Sequence, residues 1–240
     1  MEVMYLKKIA VTILSAMLFL AICPMTSSLA VGEDFTDLPF LDIGNGSWYL
    51  ADVYQAYKDG IMNGKSDTKF APEDNVTLAE IAVIAAKVNA NLSGNNPEMS
   101  ARNGEKWYMT YVKYCYEKGI YQNEDIDNGN MKLEDAENWL GAYGRYAERH
   151  EVAAMLSRCD QRQNKFIPNP NVPLTNISDV ANGNSAHADE ILTLYRMGVA
   201  VGDDNMDFHP YDYIKRAEVA AMVNRLMHDE NKIELPKVNL

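Results

Sequence analysis

Residues 213–226 read YIKRAEVAAMVNRL, and residues 146–159 read YAERHEVAAMLSRC; without a gap they share eight of fourteen positions. A third copy, NVTLAEIAVIAAKV, spans residues 75–88 and aligns through Glu80, Glu151 and Glu218. In every copy the apolar positions that follow the glutamate are spaced i, i+3, i+4, i+7. They are Ile81, Ile84, Ala85 and Val88; Val152, Met155, Leu156 and Cys159; and Val219, Met222, Val223 and Leu226. That spacing is one stripe of an amphipathic helix. One such helix cannot bury its stripe alone, whereas three can bury theirs together, so the repetition predicts a helical fold with a shared core.

The similarity continues upstream. GIMNGKSDTKFAP (60–72) and GVAVGDDNMDFHP (198–210) both place Gly at the first and fifth positions and end in Phe-x-Pro. Gly60 and Gly198 each lie 20 residues before their glutamate. Before them run two further helical patterns, Trp48 to Lys58 and His187 to Met197. Gly60 and Gly198 then fall where helix C-termini favour glycine, because the left-handed conformation costs it least. Asp42 and Asp179 stand further upstream and read as turn or cap residues. The middle copy keeps Trp107 and Gly119 at the spacing of Trp48 and Gly60, but Gly119 lies 32 residues before Glu151. The extra residues are placed at 123–142. Thr77-Leu78-Ala79-Glu80 has the pattern of a capping box, and Glu80, Glu151 and Glu218 read as caps and inter-repeat ties.

These residues resemble the S-layer homology (SLH) family. Its unit is similar to F-x-D-(V/I), a Trp-led helix, G-(I/V)-x-x-G, F-x-P, and I-T-R-A-E opening a second helix. The last motif corresponds to Val76–Glu80, Ala147–Glu151 and Ile214–Glu218. The resemblance implies an all-α fold in which three helix–loop–helix repeats form a pseudo-trimeric, three-pronged spindle around a central helical bundle. It implies repeats at 36–90, 104–160 and 174–228 and a tail at 229–240. It also implies non-covalent attachment to the bacterial cell wall through a secondary cell-wall polysaccharide carrying pyruvate ketals, bound between prongs. Arg149 and Arg216 occupy the family's position for the ligand's negative charge, and copy one has Leu78 there. At most two competent pockets are therefore expected, with Arg216 in the intact unit and Gly202 and Asp203 beside it.

Elementary chemistry supports an anion at that position. A helix N-terminus presents unpaired N–H groups, and an adjacent arginine can pair bidentately with a carboxylate. Trp48 and Trp107 are available to stack on sugar rings, although packing between helices is the simpler expectation. A protein-binding role in surface-layer assembly, with degenerate glycan pockets, is the rival reading.

Residues 1–30 read as a secretory signal peptide, with Lys7 and Lys8, an apolar run from Ile9 to Ile22, and Ser28-Leu29-Ala30. The run is short of the roughly 20 residues that span a bilayer. Removing Glu2, Lys7 and Lys8 with this segment moves the net charge from −12 to −13. So acidic a chain is a poor general binder of nucleic acid, which needs phosphate neutralisation. The expected location is the cell wall or surface layer, without membrane association after cleavage. Cys115 and Cys159 do not make a disulfide scaffold. The alternating Asp203, Asn205 and Asp207 lack the glycine and terminal glutamate of a calcium loop. The histidines lack metal-ligand spacing, and no catalytic motif is present, so neither a cofactor nor an enzyme activity is expected.

Overall fold

A ring of contacts joins the three repeats in the computed structural model. It describes residues 35–95, 97, 99–100, 104–122, 143–183 and 185–236. The expected signal peptide and the expected insertion at 123–142 lie outside the described residues. Seven α-helices are described: α1 Leu50–Lys58, α2 Leu78–Leu92, α3 Met109–Glu117, α4 Arg149–Cys159, α5 Ser178–Ala181, α6 Ala188–Arg196 and α7 Arg216–Met227. Among the described residues the β-pairing consists of isolated bridges, so the chain is all-α.

The first helix of each repeat packs on the second helix of another. α3 packs on α2, α6 on α4, and α1 on α7. The last pair brings the first described helix against the last long one. A polar bond ties each pair. Tyr114 Oη donates to Asn89 Oδ1 at 2.9 Å, Arg158 Nη2 to Glu190 at 2.6 Å, and Asn224 Nδ2 to Asp52 at 2.7 Å. The apolar stripes meet beneath these ties, and Ile81, Val88, Val152, Leu156, Val219 and Leu226 are buried. Cys115 and Cys159 are free and buried. Their thiols donate to the carbonyls of Ala82 and Ala85, both on α2, and burial pushes both pKa values up.

The three glycine turns are alike. Gly60, Gly119 and Gly198 take φ of 71°, 68° and 69°, which a side chain rarely adopts. After each one, two successive N–H groups return to one helical carbonyl. Ile61 and Met62 bond to Ala56, Ile120 and Tyr121 to Cys115, and Val199 and Ala200 to Leu194. The middle unit thus keeps the turn of the other two.

A second ring lies at the starts of the long helices. Bridges pair Asn75 with Lys215, Thr77 with Tyr146, and Glu148 with Tyr213. Numbered from the glutamate, each bridge joins the fifth residue before it in one repeat to the third before it in another. Val76, Ala147 and Ile214, between those positions, are wholly buried.

Two boundaries differ from the sequence reading. α2 runs on to Leu92, past residue 90, where the first repeat was expected to end. Asn89 is polar yet buried, because its amide bridges Cys159 O and Tyr114 Oη. The segment after α7 is also part of the fold. Ile233 pairs with Gly198, and Lys232 Nζ is buried between Phe166 O and Asp229.

Asp42 and Asp179 hold the Phe-x-Pro loops. Asp42 accepts from the N–H groups of Phe70 (2.8 Å) and Ala71 (2.7 Å). Asp179 accepts from Phe208 (3.0 Å) and His209 (2.6 Å). Ala71 and His209 have positive φ, so each carboxylate stabilises a backbone shape that the chain would otherwise leave. Asp179→Ala leaves two loop N–H groups short of an acceptor and should cost about 1–3 kcal/mol, with Asp179→Asn costing less. Urea unfolding measures this, and an unchanged midpoint for the alanine variant would remove the carboxylate from the loop's support.

Candidate functional site

The first turn of each long helix meets the loop of another repeat. The first two N–H groups of α2 donate to Arg145 O (3.1 Å) and Tyr143 O (2.9 Å). Those of α4 donate to Asp212 O and Pro210 O, both at 2.9 Å, and those of α7 to Asp74 O (2.9 Å) and Pro72 O (3.0 Å). In α2 the Thr77 hydroxyl takes the third. The sequence reading places free N–H groups here for an anion; the structure fills them with backbone carbonyls.

The two arginines lie in equivalent places with unequal freedom. Arg216 Nε donates to Phe70 O (2.9 Å), Nη2 to Asn63 O (2.7 Å) and Nη1 to Glu80 at 3.4 Å. Its guanidinium lies 4.7 Å from the centre of the Phe70 ring. Only 5% of the side chain is exposed, and burial lowers its pKa against the opposing pull of Glu80, Asp74 and Asp42. Arg149 repeats the pattern one repeat away. Its Nε donates to Phe208 O (2.7 Å) and its Nη1 to Glu218 (2.6 Å), over the Phe208 ring at 5.0 Å. It is 17% exposed, and its Nη2 has no partner among the described residues. Glu80, Glu151 and Glu218 each also accept from the backbone N–H three residues earlier. Each is thus a cap, and Glu80 and Glu218 are also inter-repeat ties.

Where Leu78 replaces the arginine, the third glutamate has a different partner. Arg145 binds Glu151 with both Nη atoms, Nη1 at 2.9 Å. The sequence reading passed over Arg145. Its register is that of Asp74 and Asp212, so the signal was a charge reversal in a loop position.

Trp48 and Trp107 are 61% and 55% exposed. The expectation that they pack between helices does not hold. Each rests edge-on against the tyrosine that follows, with ring centres 5.2 Å apart for Tyr49 and 5.5 Å for Tyr108. Tyr49 lies in the electrostatic surroundings of Lys215, the residue before α7. The third repeat differs in kind. Ala186 occupies the tryptophan's register, and His187 stacks on His150 with ring centres 5.3 Å apart and planes at 24°.

Gly202 and Asp203 shape the third repeat's loop. A Cβ at Gly202 would lie 2.4 Å from Tyr195 Oη, and Tyr195 Oη donates to Met206 O there. Asp203 Oδ1 accepts from the N–H groups of Asn205 (2.8 Å) and Asp207 (3.0 Å). Those bonds, with His209 beside it, hold its pKa below the usual carboxylate value. Asp203 is a turn residue, and no cluster that could hold a metal occurs among the described residues.

Residues 39–82 and 176–220 match the family model of the S-layer homology domain. These two matched segments contain Trp48, the Phe70 loop, Glu80, Asp179, the Phe208 loop, Arg216 and Glu218. The chain is 25% identical over 175 residues to exoglucanase XynX of Acetivibrio thermocellus. It is 21% identical over 204 residues to an endoglucanase of Bacillus sp. (strain KSM-635) and 24% over 174 residues to an amylopullulanase of Thermoanaerobacterium thermosulfurigenes. These alignments cover 72%, 85% and 72% of this chain but 15%, 20% and 9% of the relatives. Among the described residues no helix is long and apolar enough to cross a membrane.

Two measurements test this site's physics. Arg216→Ala leaves Phe70 O, Asn63 O and Glu80 without their donor and should cost ~2–4 kcal/mol, against ~1–2 for the more exposed Arg149→Ala. Equal urea midpoints for the two variants would contradict the difference in burial. Burial also pushes the Tyr143 hydroxyl up to about 12, while the unfolded chain releases that proton near pH ~10. The stability this residue contributes is therefore full below about pH 10 and falls as pH rises towards about 12. Tyr143→Phe should flatten part of that fall in urea midpoints taken from pH 9 to pH 12. Tyr195, also raised by burial, supplies a further part.

Proposed function

We propose that this chain is a non-covalent cell-wall attachment module. It binds an anionic, pyruvylated secondary cell-wall polysaccharide in the grooves between repeats, after export directed by residues 1–30. The observation that carries the reading is the exposure of Trp48 and Trp107 in a chain whose long helices begin with arginine–glutamate pairs. An exposed indole offers a stacking face for a sugar ring, and a guanidinium offers a partner for its carboxylate. The SLH matches at 39–82 and 176–220 support wall attachment in general. The ring of helix contacts supports the three-pronged spindle.

Within this reading the roles divide. Trp48 and Trp107 stack on the glycan, and Arg149 meets charge with its unpaired Nη2. Arg216 acts mainly through the Phe70 loop that it holds, and Gly202 with Asp203 shapes the groove wall. No catalytic role is proposed. The relatives carry enzyme names, and the chain aligns with a fifth of their length or less. A second reading, a surface-layer component contacting other proteins, is favoured by one observation: every guanidinium nitrogen of Arg216 is already engaged.

Co-sedimentation with cell-wall sacculi separates the two readings. The protein should pellet with native sacculi, lose binding after chemical removal of pyruvate, and bind more weakly as salt rises, since the Debye length falls from ~8 Å at physiological ionic strength. Trp48→Ala should weaken binding without changing the urea midpoint. Sedimentation that ignores pyruvate removal would overturn the glycan reading.

A further inference from the structure

We propose that the stacked imidazoles of His150 and His187 form an acid-opened latch between the second and third repeats. The latch stays closed while the pair carries no more than one proton, and the second proton opens it. The device goes beyond wall attachment and holds whatever the chain binds.

The stack joins α4 to α6, two helices that pack on each other. His150 is the second residue of α4, and His187 directly precedes α6. Their ring centres are 5.3 Å apart with planes at 24°. Tyr211 meets His150 edge-on at 5.2 Å, and its Oη accepts from the N–H of Ala186 at 3.3 Å. His150 Nε2 lies 3.0 Å from a Glu148 carboxylate oxygen. An ionised carboxylate only accepts, so Nε2 carries the hydrogen and Nδ1 the lone pair that a further proton must take. His150 is 9% exposed, and that Nδ1 is buried without a hydrogen-bond partner among the described residues. A proton there becomes a buried donor with no acceptor, which is costly until the site opens to water.

Charge sets the order of the two steps. Glu190 lies 4.0 Å from His187 Nδ1 and binds Arg158 at 2.6 Å. The row Glu148, His150, His187, Glu190, Arg158 therefore carries −1 with both imidazoles neutral (two carboxylates and one guanidinium), zero with one proton and +1 with two. The first proton, on His187, neutralises the row. The second, on His150, adds a like charge one ring away. The other charged groups of the packed elements are engaged elsewhere or exposed. Arg149 pairs with Glu218, Glu151 with Arg145, and Glu80 of α2 with Arg216. Lys87 of α2 donates to Gly60 O and Arg196 of α6 to Val172 O. Asp189 and Asp212 are exposed.

Backbone strain supplies the open state. His187 has φ 59°, a left-handed conformation that a residue with a side chain keeps only where its surroundings hold it. Its counterparts Tyr49 and Tyr108 take φ of −97° and −91°. Release of the stack lets the start of α6 relax to the shape that the other two repeats already have.

In the unfolded chain each imidazole takes its proton near pH ~6.5. Below that pH the unfolded chain holds two protons on this pair where the closed stack holds one, so the latch's contribution to stability is full above about pH 6.5 and is lost as pH falls.

The test is a 1H–13C NMR titration of the imidazole signals from mildly alkaline to acid pH. His187 should titrate first and His150 in a separate, more acid step. The nuclear Overhauser contact between the two rings should survive the first step and vanish with the second. His187→Gln should move the His150 step to higher pH and make the urea midpoint fall less steeply on acidification than in the unmodified protein. If that variant does not fold, the titration of the unmodified protein decides alone. Coincident steps, a ring contact that persists after both, or a His150 step unmoved by His187→Gln would each overturn the latch.

Discussion

Six of the backbone hydrogen bonds that cross between repeats start from the long helices, and the rest of this fold depends on them. An α-helix leaves its first four N–H groups without intrahelical partners. In α2, α4 and α7 the first two of these donate to loop carbonyls of another repeat, at 2.9–3.1 Å. Each bond contributes roughly 0.5–1.5 kcal/mol net, but leaving its buried donor unpaired costs more. No repeat can therefore finish its own long helix. The packing of α1 on α7 closes the same dependence at the ends of the chain. The three units form one cooperative object rather than a string of independent modules.

The arginines belong to that constraint before they belong to any ligand. Taking a guanidinium out of water is costly unless its donors are met. Phe70 O, Asn63 O and Glu80 meet those of Arg216, and the Phe70 ring covers its face. The arrangement locks the Phe-x-Pro loop of the first repeat to the last helix. Asp42 grips the same loop from its other side through Phe70 N and Ala71 N. A motif that reads as a ligand contact is thus also a tie across the ring, and burial decides the balance. Arg216 is chiefly tie, Arg149 is intermediate, and Arg145 is the most open.

Much of this was legible in the sequence, and the parts that were not share a cause. The stripe after each glutamate located α2, α4 and α7, and the glycine spacing located the turns. Periodicity tells which face of a helix is apolar but not what covers it, so the packing of α1 on α7 had no signal. Trp48 and Trp107 looked like core residues because a large apolar side chain usually is one. Their exposure depends on where the first helices begin relative to the loops. Asn89 carried no signal of burial because polar residues usually are solvated, and its burial depends on Tyr114 and Cys159 O, 25 and 70 residues away. Arg145 was visible as a charge reversal against Asp74 and Asp212. It acquires meaning only when the loop is known to lie against the start of α2.

The grooves differ because the positions that form them are not the positions that hold the ring. Val76, Ala147 and Ile214 are all small or branched apolar residues at the centre and are wholly buried. Glu80, Glu151 and Glu218 are identical, and all cap a helix. Beside them, Trp48 and Trp107 correspond to Ala186, and Tyr49 and Tyr108 to His187. The loop position held by Asp74 and Asp212 admits Arg145. Each of these side chains is at least partly exposed, so a change of size or charge removes few core contacts. His187 stacks on His150, whereas its counterparts Tyr49 and Tyr108 lie against exposed tryptophans. A scaffold closed by backbone bonds and a buried hub can thus carry three unlike surfaces. Side chains at these positions can then change while the fold stays fixed.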